Sequence, residues 1–155
     1  MTIKMIRIDD RLIHGQIVTA WAKNLNIKRI WIVDDGVSKD TFISNVMQMV
    51  APSDTKLVIT GTDQIDTLVK EYDASDINTL VLVKIPAVAK QIFEADVLLR
   101  ELNVGGIGAG PDRKKLFKNI SASLMEIETL KEIKKLGVNV HFQVTPNEKQ
   151  TNFDN

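Results

Sequence analysis

The residues best suited to chemistry lie in one short segment, Arg7-Ile8-Asp9-Asp10-Arg11-Leu12-Ile13-His14-Gly15-Gln16. His14 stands at or just before the start of a predicted helix, with Arg11 upstream and Gly15 beside it. An imidazole is nucleophilic when one ring nitrogen is unprotonated, and its reference pKa of about 6.5 makes that form common at neutral pH. The segment therefore predicts a histidine that can take up an electrophile such as a phosphoryl group.

Three features of this segment could meet the negative charge of a phosphoryl group. Backbone N–H groups and the positive end of the helix dipole would contribute about 0.3–1 kcal/mol. Arg11 could add a charge-assisted contact, and Gly15 lets the backbone approach the phosphate closely. The alternative that stays open is that His14 merely packs near a helix start while Arg11 faces solvent.

Further polar residues follow predicted strands, where an open parallel sheet binds its ligands. Asp9 or Asp10 could hold the imidazole tautomer or restrain Arg11, although helix capping and turn formation explain either one equally well. Asp34 is followed by Asp35-Gly36, so a turn is its default role. Lys84 follows an apolar strand and could point at an anion, or its side chain could extend to solvent.

Several kinds of site fail on composition or spacing. Gly106, Gly108 and Gly110 do not form a dinucleotide fingerprint or a P-loop, because Pro111 follows where those motifs need other residues. The chain has no cysteine and two histidines far apart, which argues against zinc. Its 20 acidic and 20 basic residues balance, unlike the basic surface of a nucleic-acid-binding protein. We therefore expect no metal, no cofactor and no nucleic-acid partner.

Alternating apolar and amphipathic segments predict the elements that must position these residues. Strands are predicted at Ile3 to Ile8, Arg29 to Asp34, Lys56 to Thr60, Thr79 to Lys84, Asn103 to Gly106, Lys118 to Ser121 and Val138 to Val144. Helices are predicted at Ile13 to Leu25, Lys39 to Val50, Thr62 to Tyr72, Ala87 to Leu99 and Met125 to Leu136. This order predicts an α/β class: a single-domain open, mostly parallel twisted sheet of about seven strands with helices on both faces.

The last predicted strand alternates apolar with polar residues, which is typical of an edge strand with one polar face. His141 lies on that polar face and is assigned no role. Residues 1–155 are expected to form one domain, with 146–155 as a loose C-terminal tail. No apolar stretch reaches the ~20 residues of a membrane span, and without cysteines or a basic apolar leader a cytosolic location is expected.

The segment from Arg7 to Ile17 resembles the signature of the enzyme IIB subunits of the mannose/fructose/sorbose family of the bacterial sugar phosphotransferase system. The resemblance extends along nearly the whole chain. Asn103-Val104-Gly105-Gly106 is similar to a later glycine-bearing segment of that family, and Lys118-Asn119-Ile120-Ser121 followed by a helix also fits.

The resemblance implies a cytoplasmic protein, peripherally associated with a membrane transporter, that acts as a protein-N(pi)-phosphohistidine–sugar phosphotransferase. His14 would be phosphorylated by a IIA phosphocarrier and would pass the group to a sugar held by membrane IIC and IID subunits. Arg11 and backbone amides would hold the phosphate, while a second phosphate-binding role for Arg113 stays open. The sugar, the phosphorylated ring nitrogen and any homo-oligomer are not specified by the sequence.

Two other functions are compatible with parts of the pattern. A signalling receiver module also has an acidic pair after its first strand and a lysine shortly before a proline, as Asp9, Asp10, Lys84 and Pro86 do. It needs an aspartate acceptor at the end of its third strand, where this chain has Val58-Ile59-Thr60. A domain that binds a small molecule without covalent chemistry is the second alternative.

Overall fold

Short runs of β-branched residues and leucine form the strands, and amphipathic stretches form the helices, as the sequence predicts. The computed structural model describes residues 1–154. The strands are β1 (Ile3–Asp9), β2 (Arg29–Val33), β3 (Lys56–Thr60), β4 (Thr79–Val83), β5 (Glu101–Gly106), β6 (Lys114–Phe117), β7 (Ile120–Ala122), β8 (Asn139–Phe142) and β9 (Thr151–Asn152). The helices are α1 (Gly15–Asn24), α2 (Asp35–Lys39), α3 (Thr41–Val50), α4 (Ile65–Ala74), α5 (Pro86–Glu94) and α6 (Leu124–Lys135), with a 3-10 turn at Thr62–Gln64.

The main sheet has the strand order β3-β2-β4-β1-β5-β8-β9. In this sheet, the neighbouring strands β3, β2, β4, β1, β5 and β8 are all parallel, and β9 is antiparallel to β8. The predicted open, mostly parallel α/β sheet is therefore confirmed. The chain leaves β1 towards β2 on one side, whereas it leaves the adjacent β5 towards β8 on the other. The strand order thus switches between β1 and β5, which is where such sheets bind ligands.

An apolar cluster covers each face of the sheet. On one face, α1 and α3 pack over a cluster that includes Val18, Ile30 and Leu82. On the other face, α4, α5 and α6 pack over a larger cluster that includes Ile92 and Leu130. All five residues of β4 are buried, because alternate side chains of this strand enter the two clusters. β4 is therefore a central strand, buried on both faces.

Two internal segments differ from the sequence prediction. The helix predicted from Lys39 to Val50 is present as α3 from Thr41, and an additional short helix, α2, precedes it at Asp35–Lys39. Asp40 separates the two with an extended backbone, and its Oδ1 accepts a hydrogen bond from the Ile43 N–H at 3.0 Å. The strand predicted near Lys118 lies outside the main sheet as β7, paired in a hairpin with β6. The turn between β6 and β7 includes Lys118 at a φ of +22°. The spacing of apolar residues along the chain does not predict such a turn.

The predictions of a polar edge strand and a loose C-terminal tail are wrong. β9 pairs with β8, so β8 is not the edge of the sheet. Phe153 is 2% exposed, and its ring lies 6.0 Å from the ring of Phe142. With the C-terminal segment anchored in this way, His141 and Gln143 of the predicted polar face are buried. On their own face of the sheet, Gln143 donates to the Glu148 carbonyl, and the Gln143 carbonyl accepts from Arg7.

Phe153→Ala tests whether the C-terminal segment belongs to the core. Loss of this buried ring should lower the free energy of unfolding by about 3–5 kcal/mol in urea titration. Met49→Ala is the control: Met49 is 83% exposed on α3, and its truncation should change the free energy by less than about 0.5 kcal/mol. Equal, small effects of the two substitutions would show that the segment contributes nothing to stability.

Candidate functional site

The loop between β1 and α1 is held in place by two buried apolar side chains. Leu12 and Ile13 pack in the cluster beneath α1. Leu12 has a φ of +57°, and its N–H donates a hydrogen bond to the carbonyl oxygen of Asp9 at 2.9 Å. This reversal leaves the side chains of Arg11 and His14 at the surface, 47% and 20% exposed. The burial of the two apolar residues between Arg11 and His14 therefore leaves these two polar side chains at the surface.

Asp9 is the centre of the site and is fully buried. Its Oδ2 accepts hydrogen bonds from His14 Nε2 at 2.9 Å and Arg7 Nη2 at 3.2 Å. Its Oδ1 accepts from the backbone N and the Nε of Arg11, at 3.1 and 3.2 Å. Burial raises the pKa of Asp9, but the hydrogen bonds from His14 and Arg11 and the charge of Arg7 outweigh burial, so the pKa lies below its ordinary value. Asp9 is therefore ionised at neutral pH.

The hydrogen bond from His14 to Asp9 determines the tautomer of the neutral His14 ring. An ionised carboxylate can only accept, so Nε2 of His14 donates, and in the neutral form of the ring the lone pair is then on Nδ1. His14 is also the N-cap of α1, and its side chain accepts no hydrogen bond from the first helical turn. Backbone N–H groups of that turn have no carbonyl partners within the helix. A nucleophilic nitrogen thus lies beside groups that favour an anion.

Arg7 belongs to the site and was missed as a functional candidate by the sequence analysis. It is 1% exposed, and its Nη1 donates to Asn103 Oδ1 at 2.5 Å and to the carbonyl oxygen of Gln143 at 3.0 Å. A Cβ at Gly105 would overlap the Arg7 guanidinium, so the glycine makes room for it. The available signal was an arginine between two isoleucines, Ile6 and Ile8, with a glycine in the strand beside it.

The other predicted site residues lie at the same edge of the sheet but have different surroundings. Asp10 Oδ2 accepts a hydrogen bond from the Gly108 N–H at 2.8 Å, which ties the loop to the segment after β5. Gly15 is exposed with a φ of +47°, a conformation that favours glycine. Lys84 directly follows β4, which pairs with β1, and it forms no hydrogen bond or ion pair within residues 1–154.

Asp34 and Arg113 have structural partners. Asp34 is the N-cap of α2, and its Oδ2 accepts from the Val37 N–H at 2.9 Å. Arg113 forms a bidentate pair with Glu126, with both N–O distances at 3.0 Å, and also donates to the carbonyl oxygen of Gly108. Because Glu126 already neutralises Arg113, the geometry argues against Arg113 as a second phosphate-binding cation.

Each carboxylate at the carboxyl ends of these strands has its own hydrogen-bond partner: arginines for Asp9, a backbone N–H for Asp10 and a helix start for Asp34. Among residues 1–154, no three His, Cys, Asp or Glu side chains are grouped so that they could hold a metal ion. No helix in that range is long and apolar enough to cross a membrane.

A family comparison identifies the class of protein. Residues 3–155 match the family described as PTS system sorbose subfamily IIB component. The chain is therefore a component of the sugar phosphotransferase system, a system of phosphoryl-transfer proteins. More narrowly, it belongs to the sorbose subfamily of its IIB components, and the resemblance found in the sequence is confirmed.

Individual relatives agree with this assignment. The sorbose-specific EIIB component of Klebsiella pneumoniae is 30% identical over 153 residues, which cover 99% of this chain and 93% of that protein. The crystal structure of the IIBSor domain of the sorbose permease from Klebsiella pneumoniae superposes with a TM-score of 0.92 at 30% identity, covering 98% of this chain and 93% of that one. The mannose-specific EIIAB component of Escherichia coli (strain K12) is 28% identical over 138 residues, 89% of this chain and 43% of that protein.

Asp9→Asn tests the buried ion pair. It should lower the free energy of unfolding by about 3–5 kcal/mol near neutral pH, because the Arg7 charge stays buried without its partner. The folded state depresses the pKa of Asp9, so ionisation stabilises the wild type above the unfolded pKa of about 3.9, and this contribution is lost as the pH falls further. The difference between the two proteins should therefore narrow when urea titrations are repeated below about pH 4. Asp63→Asn, at an exposed position, is the control, and an Asp9→Asn difference independent of pH would contradict the ion pair.

Gly105→Ala tests whether Arg7 needs the missing side chain. The added Cβ collides with the guanidinium, so the variant should be destabilised by at least about 1–3 kcal/mol. Gly110→Ala in the same glycine-rich segment is the matched control, because its Cβ would meet Arg113 Cδ at an ordinary 3.4 Å. Thermal unfolding of the two variants measures the difference, and equal melting temperatures would refute the argument.

Proposed function

We propose that this chain is a phosphocarrier that accepts a phosphoryl group on Nδ1 of His14 and transfers it to a sugar. The supporting observation is the 2.9 Å hydrogen bond between His14 Nε2 and the buried, ionised Asp9. This bond assigns the proton to Nε2 and leaves Nδ1 as the nucleophile. The phosphorylated product is then N(pi)-phosphohistidine.

The chemistry of both half-reactions uses the same nitrogen. In the first, the Nδ1 lone pair forms a bond to phosphorus while the bond between phosphorus and the donor breaks. The ring of His14 becomes cationic, with its proton still on Nε2, and the negative charge of Asp9 stabilises it in the manner of a catalytic triad carboxylate. In the second, a sugar hydroxyl attacks phosphorus, the N–P bond breaks and the hydroxyl proton is released. Neutral His14 is restored.

Positioning and charge dominate this kind of transfer. Arg11 is held at its Nε by Asp9, while nearly half of its side chain is open to solvent. It can therefore contact a phosphoryl group on His14 from a restrained starting position. The start of α1 adds backbone N–H donors, and Gly15 keeps the space beside them clear. Lys84, at the end of the adjacent β4, is proposed as a second, weaker source of positive charge.

The partners follow from the family and its relatives. The Escherichia coli relative named mannose-specific EIIAB carries IIA and IIB designations in one chain, which supports a IIA protein as the phosphoryl donor of this chain. The family resemblance supports membrane IIC and IID subunits as the site where the sugar is held. The chain would work in the cytoplasm, peripherally bound to that transporter. A receiver function is disfavoured because β3 ends at Thr60 without a carboxylate.

The phosphocarrier role is tested by intact mass measurement after incubation with phosphoenolpyruvate, the general phosphotransferase proteins and a phosphorylated IIA. Wild type should gain one acid-labile phosphate, because N–P bonds hydrolyse in acid. His14→Ala should gain none and keep its fold by circular dichroism. The matched control is Thr19→Ala, an exposed position on α1, which should be phosphorylated like wild type. An unmodified wild type beside a phosphorylated IIA would favour a non-covalent binding domain, and an acid-stable adduct would exclude phosphohistidine.

A further inference from the structure

Asn103 is a buried polar residue to which the proposed phosphoryl transfer assigns no role. It lies on β5, beside Arg7 of β1 in the register of the sheet, and is 1% exposed. A buried amide is costly unless its oxygen and its hydrogens find partners. The hydrogen-bond partners of Asn103 therefore indicate what its side chain does.

The orientation of the Asn103 amide is determined by its neighbours. Arg7 can only donate, so the amide oxygen faces Arg7 Nη1, at 2.5 Å. The Gln143 carbonyl can only accept, so the amide nitrogen faces it, at 3.2 Å. The same nitrogen contacts His141 Nε2 at 3.3 Å. A flipped amide would set donor against donor and acceptor against acceptor, so Asn103 presents a fixed acceptor to Arg7.

Arg7 uses its two terminal nitrogens for different partners. Nη1 donates to Asn103 Oδ1 and to the Gln143 carbonyl, at 2.5 and 3.0 Å. Nη2 donates to Asp9 Oδ2 at 3.2 Å, while Nε is buried without a hydrogen-bond partner among residues 1–154. Arginine frequently pairs with a carboxylate through two parallel hydrogen bonds. Here Asp9 receives one, because the hydrogens of Nη1 are taken by other acceptors.

The packing around the Arg7 guanidinium does not choose between these arrangements. Its central carbon lies 5.8 Å from the centroid of the Trp21 ring, and its atoms fill the place of a side chain at Gly105. Neither contact is a hydrogen bond, so neither determines which nitrogen faces which acceptor. That choice depends on the two acceptors of Nη1. Asn103 supplies the shorter bond and is the one that a substitution can remove.

We propose that Asn103 is a positioning residue for phosphoryl transfer to His14, acting through the orientation of Arg7. Asp9 Oδ2 accepts one hydrogen bond from Arg7 and one from His14. Asp9 Oδ1 already accepts two from Arg11. A carboxylate oxygen has about two lone-pair sites, so a second bond from a released Arg7 Nη1 competes with His14 for Oδ2. By holding Nη1, Asn103 keeps that oxygen available to the ring.

Asn103→Leu tests this role, because leucine has a similar size and no acceptor. Long-range proton–nitrogen NMR spectra of the free chain distinguish the two tautomers of His14 above about pH 8.5, where an ordinary histidine is neutral. Wild type should show one tautomer, with hydrogen on Nε2, and Asn103→Leu should show a mixture of both. Phosphoryl uptake at saturating phosphorylated IIA should slow about tenfold, the factor for one lost hydrogen bond to the reacting ring.

His141→Phe is the matched control. It removes the other side-chain partner of Asn103 from the same buried row but leaves the bond between Asn103 and Arg7 in place. It should keep the single tautomer and the wild-type rate, and it identifies the His14 signals because His14 is then the one histidine left in the chain. Asn103→Ala removes the same oxygen and adds no atoms to the core, so it replaces the leucine variant if that variant does not fold.

Two results would overturn the proposal. One is a folded Asn103→Leu or Asn103→Ala protein with the single tautomer and the wild-type rate. The other is the same mixture of tautomers in His141→Phe, which would show a general effect of disturbing the buried row. The role rests on the proposed phosphoryl transfer, but the tautomer is measured without phosphate or partner. A wild type that takes up no phosphate would therefore refute the phosphocarrier function, while the tautomer comparison would still decide whether Asn103 orients His14.

Discussion

The buried carboxylate of Asp9 is the constraint on which the rest of the site depends. An ionised carboxylate with no solvent contact is costly unless it is fully paired, and here two arginines, a histidine and a backbone N–H supply the pairing. The spacing of the motif follows from this need. Residues two apart on a strand share a face, which places Arg7 beside Asp9, and the reversal at Leu12 brings Arg11 and His14 back over the strand end.

This pairing also explains why the site suits a carrier rather than a tight phosphate-binding pocket. Arg11 divides its hydrogen bonds between Asp9 and solvent, so its guanidinium is positioned but partly neutralised. The helix start contributes about 0.3–1 kcal/mol. A phosphoryl group held by such moderate interactions stays transferable, because overstabilising the phosphorylated ground state would slow the next step. The negative charge of Asp9, placed behind the ring, works on the cationic imidazole rather than on the phosphate.

Periodicity predicted the elements that bury apolar side chains, and it failed where polar residues decide the structure. The core strands β2, β3 and β4 and the helix α6 were located almost to the residue, because their apolar pattern is continuous. The extended backbone at Asp40 and the burial of Arg7 depend on specific hydrogen bonds, which hydrophobic periodicity does not predict. His14 and Arg11 were found from residue type and spacing. Arg7, which pairs with the Asp9 that orients them, was not found, because it lies between Ile6 and Ile8 in the buried part of β1.

The two halves of the sheet face under α1 differ in polarity. Under α1 and α3, the half formed by β2 and β4 is apolar and packs as an ordinary core. The half formed by β1, β5 and β8 buries Arg7, Asn103 and His141 instead, and a polar row of this kind is stable only when its members are hydrogen-bonded. Trp21 of α1 lies over the Arg7 guanidinium at 5.8 Å and donates to the Val144 carbonyl, so α1 and the segment after β8 cover that half together. The segment after β8 is thus linked to the proposed phosphoacceptor, because the Gln143 carbonyl binds Arg7, Arg7 holds Asp9, and Asp9 holds His14.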